Sequence, residues 1–287
     1  MISVIVPHFN DLAGLDRCLD ALSRQTLSRD RFEVIVADNR STAGAETVEA
    51  VIADRARFVD APVPGAGPAR NSGAAQANGD IFAFTDCDCV PDPGWLAAGT
   101  EALEKADLVG GRMTVLVPDS STMSGAEAFE SVFAFNNRRY VTEEFFTITA
   151  NMFCSRKVFE AVGPFRTAVS EDKEWCLRAR DRGFHIGYAE KAVVGHPARR
   201  DWSQLKHKWR RIMAESHALA MDRGGGHVGW LLRTWALIPS IPVHMIRILF
   251  TPAISRPKHR AAAIATLVRL RLWRFAEGHR LAFAERK

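Results

Sequence analysis

An apolar run of four residues, Ile81-Phe82-Ala83-Phe84, gives way almost at once to Asp86-Cys87-Asp88, and this junction constrains the chain more than any other stretch. Ahead of it, residues 69–77 are rich in helix formers and Gly79 stands where a helix C-cap is needed. The order is therefore loop, short helix, buried strand, acidic turn. Two carboxylates one residue apart, on a turn at a strand's carboxyl end, can face one divalent cation, and that cation can hold a diphosphate. Aspartate also favours turns for its own local hydrogen bonds, so the pair by itself leaves a purely structural role open.

The same alternation runs from the N-terminus. Residues 2–6 are apolar and β-branched, closed by Pro7, as in a strand buried on both faces of a parallel sheet. Leu12, Leu15, Leu19 and Leu22 recur at helical spacing, with Asp11 placed to cap that helix. Residues 32–37 predict a second strand, 45–53 a short helix and 57–59 a third strand. Strands alternating with helices imply a doubly wound sheet whose ligand sits beyond the strands' carboxyl ends. Pro7, His8, Phe9, Asn10, Asp38, Asn39, Arg70, Asp86, Cys87 and Asp88 form that edge. Gly65-x-Gly67 does not make it a dinucleotide site, because the glycine pattern should follow the first strand and Arg70 replaces the third glycine.

Ala69-Arg70-Asn71-x-Gly73, the Gly79-Asp80 step, and Asp86-Cys87-Asp88 leading to Pro91 and Trp95 together resemble the nucleotide-sugar-binding half of family 2 glycosyltransferases. The resemblance implies the GT-A fold, a mixed sheet with a C-terminal helical extension here. It also implies transfer of a sugar from a nucleoside diphosphate donor, UDP in many members, to an acceptor hydroxyl. By resemblance Asp38 receives the nucleobase, although Asp38-Asn39-Arg40-Ser41-Thr42 stands where many relatives have Asp-Asp-Gly-Ser-Thr. Arg70 follows Pro68 near a helix start, where an arginine can reach a base or phosphate. Pro7, Phe9 and Cys87 complete the donor edge, and Asp86 and Asp88 hold Mg²⁺ or Mn²⁺.

Downstream, residues 108–115 predict a strand with a glycine kink, 124–140 a helix, and 145–153 a strand carrying Asn151. In the family this last segment lines the donor sugar and acceptor path, while an ordinary sheet strand would look the same. Ser170-Glu171-Asp172 opens a helix, where acidic residues are favoured by the helix dipole alone. The run Glu-Asp-x-x-x-x-x-Arg-x-x-x-x-Gly-Phe resembles the family's second signature, which makes Asp172 the catalytic base and Glu171 its orienting neighbour. His196, after the apolar residues 192–194, falls where GT-A enzymes place a metal or phosphate ligand. An inverting, single-addition hexosyltransferase is expected. A nucleotidyltransferase or a nucleotide-sugar binder without transfer activity are the alternatives.

At 287 residues, 47% hydrophobic and 25% charged, the chain can bury a large core and is not disordered. The expected division is residues 1–200 catalytic, 1–95 for the donor and 96–200 for the acceptor, followed by a tail at 201–287. Five cysteines without zinc-type spacing argue for free thiols in a reducing compartment, and no secretory leader opens the chain, so a cytoplasmic location is expected. Charge divides unevenly: 16 Lys and Arg stand against 5 Asp and Glu in residues 201–287, and 22 against 28 before them. No nucleic-acid motif accompanies the basic tail, which points to an anionic membrane surface. Residues 230–250 are apolar but interrupted by Arg233, Pro239, Pro242, His244 and Arg247, which disfavours a spanning helix. Residues 261–283 alternate Leu267, Leu270, Leu272, Trp273 and Phe275 with Arg269, Arg271, Arg274 and Arg280, either an interfacial helix or a lid packed on the protein or a second subunit. A lipid-linked or polysaccharide glycan acceptor at the inner face of the membrane fits such a tail.

Overall fold

The computed structural model describes residues 1–284, so the last three residues of the expected tail lie outside the described residues. In chain order the elements are β1 (Ile2–His8), α1 (Leu12–Ser23), β2 (Phe32–Asp38), α2 (Ala45–Ile52), β3 (Arg57–Asp60), α3 (Ala66–Gln76), β4 (Ile81–Phe84), β5 (Val90–Pro91) and α4 (Trp95–Leu103). There follow β6 (Leu108–Leu116), α5 (Gly125–Phe133), α6 (Asn137–Glu144), β7 (Met152–Ser155), α7 (Arg156–Val162), α8 (Glu171–Asp181) and β8 (Ile186–Pro197). Four helices close the chain: α9 (Trp202–Asp222), α10 (Gly226–Trp235), α11 (Ser240–Phe250) and α12 (Pro257–Ala284).

The strands form one mixed sheet in the order β3-β2-β1-β4-β7-β6-β8-β5. β1 runs parallel to β2 and β4, with Val4 opposite Val34 and Ala83, and it is buried at every position, the polar Ser3 and His8 included. β7 is antiparallel to both β4 and β6. Asp11 caps α1 by accepting from the Gly14 amide at 2.9 Å. On the opposite face of β1, α3 packs so closely that a Cβ on Gly73 would stand 2.7 Å from Ile5 Cγ2. That glycine fixes how near the helix can lie to the sheet.

The chain divides into two compact units. The first comprises Met1–Thr114, Asn136–Thr167 and Glu171–His196, and holds the sheet. The second takes in Val115–Phe135, Ala168–Ser170 and the residues from Pro197 onward. Residues 115–135, which sequence alone groups with the catalytic half, thus belong with the C-terminal helices.

Two segments differ from their sequence patterns. The helix expected over residues 124–140 is two helices, because Asn137 turns its amide onto the Gly111 carbonyl at 2.7 Å and starts a new one. The strand expected over 145–153 shrinks to Met152–Ser155. Phe145 adopts φ 56° as the left-handed cap of α6, and Thr149–Asn151 forms a 3₁₀ turn, so only the last residues pair with β4 and β6.

In the second unit, α12 sends Ala263, Leu267 and Leu270 into a core with Ala128, Phe129 and Val132 of α5. Its arginines spread over aromatic rings, Arg269 on Trp202 at 4.1 Å and Arg274 on Trp209 at 3.9 Å. Ala263, Leu267 and Leu270 of this segment therefore pack within the protein, while Leu272 and Phe283 remain exposed.

Glu130 is the buried acid of this unit. It accepts from Lys208 Nζ at 2.6 Å and from the Arg199 amide at 2.7 Å. Burial works to raise its pKa, but the Lys208 ammonium and these hydrogen bonds outweigh it and hold the carboxyl below its ordinary value. Burial pushes Lys208 down despite Glu130, helped by Arg199 and Arg211. Because the folded-state pKa of Glu130 is depressed, its stabilisation is full above about pH 4.3 and fades as pH falls through the folded value. Glu130→Gln should cost about 3 kcal/mol at pH 7. The gap in melting temperature between variant and wild type should narrow in acid, and thermal melts from pH 7 downward check this.

Candidate active site

Each candidate residue in the first unit owes its place to an end of the sheet. At the carboxyl end of β2, Asp38 is buried and fully engaged. Its carboxylate lies 2.8 Å from His8 Nδ1 and accepts from Ser41 Oγ at 2.6 Å and the Ser41 amide at 3.0 Å. It thus ties the ends of β1 and β2 together. Asn39 donates to the carbonyls of Ala61 and Val63, both at 2.7 Å, and accepts from the Gly65 amide at 2.8 Å, pinning the loop before α3. Pro7 is buried within β1 opposite Ala37, whereas Phe9 is exposed on the rim.

The first turns of α3 give each residue of its motif a distinct task. Arg70 is buried, and its guanidinium donates to Asp86 Oδ1 at 2.6 Å and to Glu171 Oε1 at 3.1 Å. Burial would lower its pKa, but Asp86, Glu171 and Asp172 more than offset this and raise it, so it remains a cation. Asn71 clamps the backbone of Phe165, giving to its carbonyl and accepting from its amide, both at 2.9 Å. A Cβ on Gly67 would meet the Arg166 carbonyl at 3.3 Å and Glu171 Cγ at 3.5 Å. Arginine, asparagine and glycines together bring the start of α8 against α3, although the two segments are about a hundred residues apart.

Glu171 and Asp172 occupy the first turn of α8, where the helix dipole favours them. Asp172 Oδ1 accepts from the Lys173 amide at 2.7 Å. The rest of the signature is structural. Arg178 grips Glu174 at 2.8 and 3.0 Å and donates to the carbonyls of Val162 and Pro164, while Trp175 donates to the Gly163 carbonyl at 2.8 Å.

The acidic turn divides its two carboxylates. Asp86 goes to Arg70, and Asp88 faces His196, with 3.4 Å between Oδ2 and Nε2. The short strand β5 accounts for this second pairing. It pairs antiparallel with β8, Val90 with Gly195 and Pro91 with Val194, and extending that register by one residue sets Cys89 opposite His196. Ligand atoms of Asp88, Cys89 and His196 lie within 4.8 Å of one another. A carboxylate with an imidazole suits a divalent ion such as Mn²⁺. Cys89 does not fit a hard ion, since burial, and then Asp86 and Asp88, push its thiol well above the usual range and keep it protonated. Asp86, expected to share the metal, is thus outside the cluster, and Cys89 was not foreseen in it.

Cys89 is packed in the core with Cys87 against it, and all five cysteines are free. Asn151 is also internal. It accepts from Trp95 Nε1 and donates to the Arg112 and Ala192 carbonyls, all at 2.9 Å, and it has no exposed surface. Cross-linking of this kind ties α4, β6 and β8 to the turn before β7. A cavity of about 520 Å³ lies elsewhere, at the first residues of β6 and β8, and contains none of the candidate residues.

The sequence description "Glycosyl transferase family 2" matches residues 3–163, more than half of the chain. The chain belongs to glycosyl transferase family 2. Asp86 and Asp88 fall inside the matched residues, and Glu171 and Asp172 beyond them. Among curated relatives, the glycosyltransferase AglE of Haloferax volcanii is 29% identical over 249 residues, covering 84% of this chain and 81% of the relative. The pre-mycofactocin glycosyltransferase of Mycobacterium tuberculosis is 28% identical over 251 residues, and this chain spans 52% of its length. Among solved structures, the mannosyltransferase PcManGT from Pyrobaculum calidifontis, in complex with GDP-Man and Mn²⁺, aligns with a TM-score of 0.54 at 18% identity, over 99% of this chain and 74% of that one. S. aureus TarS 1-349 in complex with UDP aligns at 0.52 and 20% identity, over 75% and 64%. The mixed sheet with its C-terminal helices is the GT-A fold, and the protein is a glycosyltransferase of the kind that uses nucleotide-sugar donors.

The division of the two aspartates gives a direct expectation. Mn²⁺ should raise the melting temperature of the wild type and of Asp86→Asn, and should fail to do so for Asp88→Asn and His196→Ala. A thermal-shift titration with the metal alone checks it.

Proposed function

We propose that the protein is an inverting hexosyltransferase that moves a sugar from a nucleoside diphosphate, UDP foremost, to a hydroxyl of a glycan or lipid-linked acceptor. The observation that carries the reading is the Arg70 guanidinium, which bonds the strand-end acid Asp86 on one side and Glu171, neighbour of Asp172, on the other. It supports a common pocket for the donor's diphosphate and the acceptor's hydroxyl.

In this reading Asp88 and His196 hold Mg²⁺ or Mn²⁺, which would neutralise charge on the diphosphate as it leaves. Asp172 accepts the acceptor's proton while the acceptor oxygen bonds to the anomeric carbon from the face opposite the diphosphate. The bond from that carbon to the diphosphate oxygen breaks, and the nucleoside diphosphate departs with the electron pair. Glu171, held by Arg70, fixes the first turn of α8 and so the position of Asp172. The buried His8–Asp38–Ser41 network makes the floor of the nucleoside site rigid, with Phe9 on its rim, which favours attack as an effectively unimolecular step.

Screening nucleotide sugars for thermal stabilisation with and without Mn²⁺ identifies the donor. With that donor and a hydroxyl acceptor, the released product should be a nucleoside diphosphate; pyrophosphate would indicate nucleotidyl transfer instead. Asp172→Asn should bind the donor as tightly as wild type and lose ~10²–10⁴-fold in turnover. Wild-type turnover by that variant would remove Asp172 from the role of base.

A further inference from the structure

The C-terminal helices carry a surface that sugar transfer does not require. α10 and α11, joined by residues 236–239, both lie along α12 and run antiparallel to it. Trp230 bonds the Gly278 carbonyl, Trp235 meets Phe275, and His244 meets Arg271. The inward faces of the two helices bury Trp230, Thr234 and Ile248, and the segment between them buries Leu237. Their outward faces show Val228, Leu232 and Trp235, then Val243, Ile246 and Phe250, each between 58% and 82% exposed. Spacings of four, three, three and four residues place these side chains on one stripe of each helix. Large apolar side chains at helical period, turned to water on consecutive helices, mark an interaction surface.

Charge identifies what the stripe meets. From Arg223 to Ala276 the sequence has nine Lys and Arg and no Asp or Glu. Arg233 and Arg247 are exposed within this stretch. Beneath α11, Arg271 and Arg274 of α12 are set into the bundle with unpartnered Nε atoms, and among the described residues no carboxylate pairs with either. Burial, and then Arg271, push Arg274 down to about 9, which marks a cluster of cations that lacks its anion. A second copy of the chain would bring an equally cationic face against this one and be repelled. Among the described residues no helix is long and apolar enough to cross a membrane, so the stripe suits the plane of the interface.

We infer that α10 and α11 dock the protein on an anionic phospholipid surface, with the apolar stripe in the headgroup region and Arg233 and Arg247 facing lipid phosphates. This docking is independent of the transfer reaction and of its acceptor.

Sedimentation of the full chain with vesicles tests it. Binding should occur to vesicles containing phosphatidylglycerol, fall about tenfold or more on phosphatidylcholine alone, and weaken in high salt. Leu232→Glu with Ile246→Glu, and separately Arg233→Glu, should each weaken vesicle binding, the apolar pair by about tenfold, with an unchanged melting temperature, since the altered side chains face water. Inorganic phosphate at millimolar concentration should not displace the protein. The inference is overturned by equal binding to neutral vesicles, by no binding, or by stripe variants that bind like wild type. Displacement by free phosphate, or a dimer that the stripe variants dissociate, would overturn it as well.

Discussion

A single guanidinium, that of Arg70, sets the arrangement of the catalytic unit. Buried cations are costly unless opposing charge and hydrogen bonds meet them, and here Asp86 and Glu171 do so from opposite sides. Both acids are themselves drawn partly out of water, and the guanidinium between them compensates each. The pair therefore acts less as a stabiliser than as a register pin: it rewards only the fold in which the turn after β4 and the first turn of α8 meet. Asn71 and Gly67 make that meeting sterically feasible, one by clamping the Phe165 backbone and the other by leaving no Cβ in the way.

A second pin follows from sheet register. An Asp-x-Asp on a tight turn can send its carboxylates to different partners, and the two-residue strand β5 decides which. Its antiparallel pairing with β8 carries His196 to Asp88, while Arg70 takes Asp86. The turn consequently divides its acids, one holding the guanidinium of α3 and its neighbour set beside an imidazole in a candidate metal cluster. Charges of opposite sign are thereby kept within a few ångströms without cancelling at the metal position.

Much of this unit was legible from local pattern. β1, α1 with its Asp11 cap, β2 and α2 follow from periodicity and capping, because their partners are near in sequence or their runs are largely apolar. The residues that carry chemistry were legible by resemblance, but their contacts were not. Asp38 looked like a free acid at a strand end, and only the fold brings His8 and Ser41 onto it. Asn151 sat in an apolar run suited to a strand, yet its amide is consumed by carbonyls of two other strands and by a tryptophan. Side chains whose partners lie tens of residues away have no signature in a single sequence. Cys89 illustrates the converse, since a thiol that periodicity sends into the core comes within reach of a metal cluster through register alone.

The C-terminal helices show why composition locates a surface less well than geometry. Residues 261–283, with arginines set between leucines and aromatics, have the makeup of an interfacial helix. Residues 230–250, broken by prolines and a few charges, look like a failed membrane span. Packing reverses the two. α12 buries Leu267 and Leu270 and lays its arginine planes on Trp202 and Trp209, so its charges serve as stacking surfaces inside the bundle. α10 and α11 put only part of their apolar surface into the same core and leave the remainder facing water. Hydrophobic residues that exceed what a three-helix contact can bury must either find another apolar phase or be exposed, and the absence of acids from Arg223 to Ala276 fixes the sign of the surface around that phase.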